Sequence, residues 1–106
     1  MSDASHGVIA ALNARDIDAF VACYTPTATI ENGYDEVRVR GHDELRAVYG
    51  RFFQEFPEVR VEAGWRAELG NFVVQEETVT GRPGHDRHVA VYLLEDGLIA
   101  RERLIA

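Results

Sequence analysis

Glu77, His88 and Glu102 offer the strongest acid–base chemistry in the sequence. They stand on three segments with the alternating pattern of strands, and this alternation places their side chains on the inward face of each strand. Carboxyl groups buried together in a cavity have raised pKa values, and a neighbouring histidine can share their proton. We therefore predict that these three residues are catalytic, with one carboxylate as general base and His88 as its partner.

Further residues are predicted to contact a substrate in the same cavity. The predicted substrate-binding residues are Asn32, Tyr24, Tyr49, Trp65, Gln75 and Tyr92. Asn32, Gln75 and Tyr92 face inward by the alternation of their strands. Simpler roles stay open, because Tyr24, Tyr49 and Trp65 lie on apolar stripes where they can pack in the core. Asn32 can instead end a strand before a glycine turn.

The acidic residues and the histidines also have interpretations without function. Glu77 and Glu102 can lie on the outer face of the sheet and pair there with arginines. The candidate partners are Arg66, Arg101 and Arg103. His88 follows His85 in the string GRPGHDRH, where an exposed histidine in a turn is expected. A His85–His88 pair without cysteine or acidic ligands at fixed spacing is weak evidence for a metal, so we predict no metal and no cofactor.

Two arginines and one cysteine complete the candidates. Arg38 and Arg40, in the string RVRGHDELR, either form a solvated rim with their acidic neighbours or hold an anionic substrate at the mouth of the pocket. Cys23 lies beside an apolar helical stripe with no activating histidine close by in sequence. This setting favours a buried, inert thiol.

Three amphipathic helices are predicted to position these groups. The first runs roughly from Ser5 to Asn13, and the second follows a cap at Asp16 and stops at Thr25-Pro26. The third gives the clearest helical period, with apolar residues at spacings of three and four. Those residues are Leu45, Val48, Tyr49, Phe52, Phe53 and Phe56. One face of this helix must therefore be covered.

Strands are predicted at residues 27–30, 36–40, 59–69, 71–81, 88–95 and 98–105. Apolar and polar residues alternate from Val59 to Leu69, which predicts a long half-buried strand with Trp65 on its apolar side. Helices followed by consecutive strands predict an α+β domain. Its curved antiparallel sheet would wrap around the long third helix.

Length and charge narrow the class of protein. The chain has 106 residues, which suits one domain over 1–106. Its formal net charge of -7 opposes binding to nucleic acid and to anionic membranes, so neither is predicted as a partner. The single cysteine cannot form an internal disulfide, and the opening MSDASHGVIAAL has neither a basic leader nor a long apolar run. We expect a cytoplasmic protein.

The chain resembles the nuclear transport factor 2-like superfamily, and especially its ketosteroid isomerase and SnoaL-like branches. The resemblance rests on the strings VIAALNARDIDAFVACY, ATIEN, RGHDELRAVYGRFF and EDGLIARERL and covers nearly the whole chain. It implies a cone-shaped α+β barrel of the cystatin-like type, with a pocket at the open end. It also implies a small-molecule ligand and a homodimer formed through the outer face of the sheet.

The catalytic groups of the isomerase do not carry over. The resemblance places its carboxylate base at Asn32, its oxyanion tyrosine at Val8 and its second oxyanion donor at Ala90, or at Val89 with a shifted gap. Valine and alanine cannot donate a hydrogen bond, and an amide cannot take a proton from carbon near neutral pH. Steroid-type isomerisation is therefore not expected. Tyr24 and Tyr49 match positions that support the oxyanion donor in some isomerases.

Three classes of function fit this pattern. The first is a small enzyme without cofactor, of the isomerase, cyclase or hydratase-lyase type, acting on a modest hydrophobic substrate. The second is a ligand-binding module that kept the cavity and lost the chemistry. The third is a dimerisation domain with a filled core. The acidic groups predicted inside the cavity favour the enzyme, because a binder of apolar ligands gains nothing from buried acids.

Overall fold

The computed structural model describes residues 4–33, 36–83 and 86–106 of this chain. Helices and strands follow one another there in a single order. They are α1 (Ala4–Ala14), α2 (Ile17–Ala22), β1 (Tyr24–Asn32), β2 (Glu36–Arg40), α3 (Gly41–Glu55), β3 (Arg60–Leu69), β4 (Phe72–Thr80), β5 (Asp86–Glu95) and β6 (Leu98–Ile105). The predicted α+β class is confirmed.

Local interactions account for the ends of the helices. Asp16 caps α2 as predicted, because its Oδ1 accepts a hydrogen bond of 3.1 Å from the amide of Ala19. Asp43 and Glu44 lie in the first turn of α3, where the helix dipole favours acidic side chains. The Glu44 carboxylate also accepts a 3.0 Å hydrogen bond from the amide of Arg40 just before the helix.

The predicted end of α2 is wrong. The helix stops at Ala22, and β1 already begins at Tyr24, so Pro26 lies inside the strand. A proline has no amide hydrogen to donate, and the pairing of β1 with β6 is irregular between Tyr24 and Thr29, where Pro26 stands. The proline therefore interrupts a strand ladder and not a helix.

The six strands of the described residues form one curved sheet in the order β2-β1-β6-β5-β4-β3. β1 runs parallel to β6, and the other neighbouring pairs are antiparallel, so the predicted meander from β3 to β6 is confirmed. α3 packs on β1, β2 and α2, whereas α1 packs on β3, β6 and α2. The three helices thus share the concave face of the sheet. No helix in the described ranges is long and apolar enough to cross a membrane.

A β-bulge in β3 overturns the predicted position of Trp65. Ala63 pairs with Glu77 and Arg66 with Gln75, so the register shifts between Ala63 and Arg66. The extra residue reverses the alternation beyond Gly64. Arg66 turns to the inner face, and Trp65 turns outward with its side chain 52% exposed. β3 is therefore not half-buried along its whole length.

The same bulge gives the outer face of the sheet an apolar surface. Cross-strand pairing joins Leu69 to Phe72 and Ala67 to Val74 on β3 and β4, and Val74 to Val91 on β5. Leu69 is 81% exposed and Phe72 is 49% exposed. We call the residues Trp65, Ala67, Leu69, Phe72, Val74, Val91 and Leu93 the outer apolar face.

Candidate acid–base site

A cavity of about 450 Å³ lies between the three helices and the inner face of the sheet. Its size falls in the range of sites that hold small organic molecules. Most of its wall is apolar, from Val8, Ile9, Leu12, Phe20, Ile30, Val39, Val48, Phe52, Val61, Val79 and Leu104. Polar groups reach it from β4, β5 and β6, and these include Glu77, His88, Tyr92 and Glu102.

Glu77 lies on β4 with only 4% of its surface exposed. Its Oε2 accepts hydrogen bonds from the Tyr92 hydroxyl at 2.5 Å and from Gln75 Nε2 at 2.9 Å. Its Oε1 lies 2.9 Å from Nε2 of His88, which is the direct cross-strand neighbour of Glu77 on β5. Glu77 is thus held in place by two hydrogen-bond donors and by its contact with the His88 ring.

Glu102 lies on β6 and is 6% exposed. Its Oε1 accepts a 2.6 Å hydrogen bond from the Tyr24 hydroxyl. Burial raises the pKa of Glu102 to about 8; the Tyr24 hydrogen bond opposes this rise and the negative charge of Glu77 adds to it. Glu102 is therefore mostly protonated at pH 7.

The second oxygen of Glu102 faces the cavity. Its only side-chain hydrogen bond in the described part of the chain is the one made by Oε1. No side-chain nitrogen or oxygen atom of the described residues is both fully buried and without a partner. Oε2 is thus open to the cavity, and when Glu102 is protonated there it can donate a hydrogen bond or a proton to a ligand.

Tyr92 links the two carboxyl groups. It is the cross-strand neighbour of Glu102 on β6, and its hydroxyl donates to Glu77. Burial and the charges of Glu102 and Glu77 raise the pKa of Tyr92 well above its ordinary value. Burial followed by the charge of Glu102 does the same for Tyr24. Both phenols therefore stay protonated and act as hydrogen-bond donors.

The structure thus brings together Glu77, His88 and Glu102. Neither carboxyl group points outward, so the alternative in which arginines pair with them outside the sheet is wrong. Arg101 and Arg103 do lie on the outer face, but they bind Glu31. Arg66 faces inward and donates from Nη1 to Gln75 at 3.1 Å. The catalytic role of the three residues stays a prediction.

The predicted substrate-binding residues divide into three groups. Tyr24, Tyr49, Tyr92 and Asn32 line the cavity, with Asn32 exposed at the end of β1 before a turn at Gly33, whose φ is +56°. Gln75 is buried behind Glu77 and is not among the residues of the cavity wall. Its amide donates to the Glu77 carboxylate, so Gln75 holds that group in place from behind the wall. Trp65 lies on the outer apolar face because of the bulge in β3, and it is not part of the cavity wall.

The remaining sequence predictions can also be placed. His85 lies outside the described residues, so the His85–His88 pair is not described. In the described part of the chain no three metal-binding side chains are grouped. The thiol of Cys23 is half-buried and donates to the carbonyl of Ala19 at 3.3 Å, and burial raises its pKa.

Sequence reasoning missed Arg82 and the inward turn of Arg66. Arg82 lines the cavity, with its guanidinium carbon 5.7 Å from the centre of the Phe52 ring. No local pattern predicts that contact. For Arg66 a signal did exist, because a glycine inside a strand, here Gly64, often marks a bulge.

Comparison with known proteins identifies the family of this chain. The model of the SnoaL-like domain matches residues 6–102. No curated protein matches the chain. Among solved structures, an uncharacterised cystatin-fold protein from Novosphingobium aromaticivorans is 27% identical, with a TM-score of 0.91, and the match covers 100% of this chain and 99% of that one.

Two more distant structures show the same fold. A putative polyketide cyclase from Sinorhizobium meliloti has a TM-score of 0.85 at 21% identity, over 98% of this chain and 94% of that one. A protein from Catenulispora acidiphila with a ketosteroid isomerase-like fold, in complex with trimethylamine, has a TM-score of 0.80 at 13% identity. That match covers 97% of this chain and 84% of the other.

Proposed function

This chain belongs to the SnoaL-like domain family, and from that premise we propose that it is a small-molecule enzyme that moves protons without a cofactor. The substrate is a modest, largely apolar molecule with a carbonyl group and an acidic carbon–hydrogen bond beside it. The reaction is an isomerisation, cyclisation, hydration or elimination that passes through an enol. One observation supports this most directly: two buried carboxyl groups reach a single cavity, and burial raises the pKa of one of them, Glu102, to about 8.

The two groups divide the chemistry between them. Glu102, held neutral by burial, donates from Oε2 to the carbonyl oxygen of the substrate. Glu77, surrounded by donors, takes the proton from the neighbouring carbon, and His88 at 2.9 Å can share or relay it. Two carboxyl groups in different surroundings within one cavity are the usual basis of such acid and base assignments.

These roles differ from those in the ketosteroid isomerase branch. The positions that hold oxyanion donors there fall on Val8 and on Ala90, or on Val89 with a shifted gap. None of these side chains can donate a hydrogen bond, and Val8 and Ala90 are buried here. Asn32, at the place of the carboxylate base, is an exposed amide at the cavity edge. We propose that the chemistry has moved to β4 and β6, with Glu77 as the base and Glu102 as the oxyanion donor.

Deuterium exchange tests this proposal without knowledge of the natural substrate. The protein is added to 2-tetralone and other small cyclic ketones in deuterated buffer, and loss of the α-proton signal is followed by NMR. We expect protein-dependent exchange that falls at least about tenfold in Glu77→Gln and in Glu102→Gln, as is typical when a positioned proton-transfer group is removed.

Glu95→Gln is the matched control. Glu95 is an exposed carboxyl group at the end of β5 and is not part of the cavity wall. Its exchange rate should equal that of the wild type. Exchange no faster than in buffer for every ketone, or equal rates in all variants, would show that the acid–base proposal is wrong.

The alternative is a binding module that retains the cavity and has no chemistry. The absence of the isomerase groups at their usual positions favours it, and the Catenulispora acidiphila protein shows that this fold can hold a small molecule. Saturable binding of ketones, together with no exchange, would select this alternative.

We further propose that the protein is a cytoplasmic homodimer that associates through the outer apolar face. The exposed side chains of Trp65, Leu69 and Phe72 support a self-association surface, because exposed apolar patches of this kind mark interaction sites. A two-fold dimer buries such a face against its own copy.

A further inference from the structure

Arg38 is a rim arginine of the cavity whose charge is not balanced by a neighbour. It lies on the edge strand β2, is exposed to solvent and lines the cavity. In the part of the chain that the structure describes, its guanidinium has no hydrogen bond and no ion pair. The two other arginines of the rim differ, because Arg82 pairs with Asp86 and Arg87 pairs with Glu76. Arg38 is thus the rim arginine that forms no ion pair with any residue the structure describes.

A β-bulge aims Arg38 at the cavity. Ile30 pairs with Val39 and Glu31 pairs with Val37, so Arg38 is the extra residue of β2 at that register shift. In a regular strand a residue next to the inward-facing Val39 would point away from the cavity. A bulge re-aims side chains and is common beside binding sites. Arg38 and Val39 can therefore both border the same space.

Charge is distributed along the cavity. Glu77 and Glu102 lie buried on the sheet side, and Arg38 lies at the solvent edge. The positive charge of Arg38 reaches the cavity wall, because it opposes, together with that of Arg82, the rise in the pKa of Tyr49 that burial and Glu102 cause. A molecule with an anionic group at one end and an apolar body would be oriented by these charges, with its anion at the mouth.

We propose that Arg38 selects the substrate, by binding the carboxylate of an amphipathic carboxylic acid whose apolar body fills the cavity. Arg38 is unpaired among the residues that the structure describes, and its one positive charge matches the single charge of a carboxylate better than the double charge of a phosphate. Its planar pair of donors fits the two oxygens of a carboxylate. This inference rests on the proposed function, because the orienting contact places the opposite end of the substrate at Glu102. Arg38 contacts the substrate and sets specificity, while the proton transfer stays with Glu77 and Glu102.

Two probes of nearly the same shape test this inference. 2-Naphthylacetate carries a carboxylate, and 2-naphthylacetamide replaces it with a neutral amide. Calorimetric titration of the wild type should give at least about tenfold tighter binding of the acid, since one charge-assisted bidentate contact is worth that much. The preference should shrink as salt is raised, because Arg38 is exposed and its field is screened.

Variants assign the preference to Arg38. In Arg38→Gln the two probes should bind within about twofold of each other. Arg40→Gln is the control, because Arg40 is exposed on the same strand and is not part of the cavity wall. It should keep the preference of the wild type.

Each remaining outcome has a defined meaning. Equal affinity for acid and amide, a preference that survives in Arg38→Gln, or no binding of either probe at millimolar concentration would overturn the inference. Selective binding of the acid without α-proton exchange on any ketone would leave the role of Arg38 intact and remove the catalytic proposal.

Discussion

Identical side chains in this protein behave differently because their surroundings differ. Glu31 and Glu102 are both buried carboxyl groups. The hydrogen bonds from Arg103, followed by those from Arg101, lower the pKa of Glu31 despite the opposing effect of burial. No cationic side chain of the described residues pairs with Glu102, and burial raises its pKa to about 8. The two pKa values therefore differ in direction because arginines pair with Glu31 and not with Glu102.

The pH dependence of stability should show the cost of ionising Glu102. Folding raises the pKa of Glu102 from 4.5 to about 8, so its contribution to stability is complete below pH 4.5 and is lost as the pH rises toward 8. The slope is at most about 1.4 kcal/mol per pH unit in that window. Urea unfolding from pH 5 to pH 9 should show this decline in the wild type and a flatter curve in Glu102→Gln. Parallel curves would contradict the prediction.

Tyr24 should control the titration of Glu102. Its hydrogen bond stabilises the ionised carboxylate, so Tyr24→Phe should raise the pKa of Glu102 further. Carboxyl ¹³C NMR would measure the midpoint, which we expect near 8 in the wild type. Tyr92→Phe is the matched control, because the Tyr92 hydroxyl donates to Glu77 and not to Glu102. An unchanged or lower midpoint in Tyr24→Phe would contradict the assignment.

At the scale of the elements, two bulges decide which side chains reach the cavity. The bulge in β3 turns Arg66 inward and Trp65 outward, and the bulge in β2 turns Arg38 toward the mouth. Arg66 then reaches Gln75, and Gln75 holds Glu77. The two bulges therefore decide which arginine side chains lie on the cavity side of the sheet.

Two turn glycines permit a direct test of close packing. Gly81 and Gly70 both have positive φ, +83° and +59°. A methyl group on Gly81 would overlap the carbonyl oxygen of Glu58, whereas nothing lies within 4 Å of one on Gly70. Gly70→Ala should cost about 1 kcal/mol, the penalty of the left-handed backbone alone. Gly81→Ala should cost at least about 2 kcal/mol more, because backbone must move. Chemical denaturation would measure both, and equal losses would contradict this account.

The sequence predicts regular structure well and its interruptions poorly. Periodicity identifies α3 and the β3 to β6 meander because burial of one face imposes it. It also predicts that Glu77, His88 and Glu102 share a face, since β4, β5 and β6 are regular where they stand. Trp65 is misplaced because a bulge depends on pairing with β4, which no local pattern records. Pro26 is misread because the parallel partner of β1 lies about 75 residues further along the chain.

At the scale of the whole molecule, the outer apolar face brings three exposed large apolar side chains together, those of Trp65, Leu69 and Phe72. If it forms the proposed dimer interface, Val74→Lys should disrupt association, because Val74 lies at the centre of that face between Ala67 and Val91. Light scattering after size exclusion should give twice the chain mass of 11.9 kDa for the wild type and the single mass for the variant. Val37→Lys is the control, because Val37 is an exposed apolar residue on the far edge of the sheet. A wild type that is monomeric at micromolar concentration would remove the dimer.

The parallel pairing of β1 with β6 has a consequence for folding kinetics. Tyr24 and Glu102 are 78 residues apart, yet they form one hydrogen bond. Contacts so distant along the chain are slow to form, because a long loop must close before any of them is gained. An intermediate with the helices and the β3–β5 hairpins in place would therefore still lack its proton donor. The ability to catalyse α-proton exchange should therefore appear only in the final, rate-limiting phase of refolding.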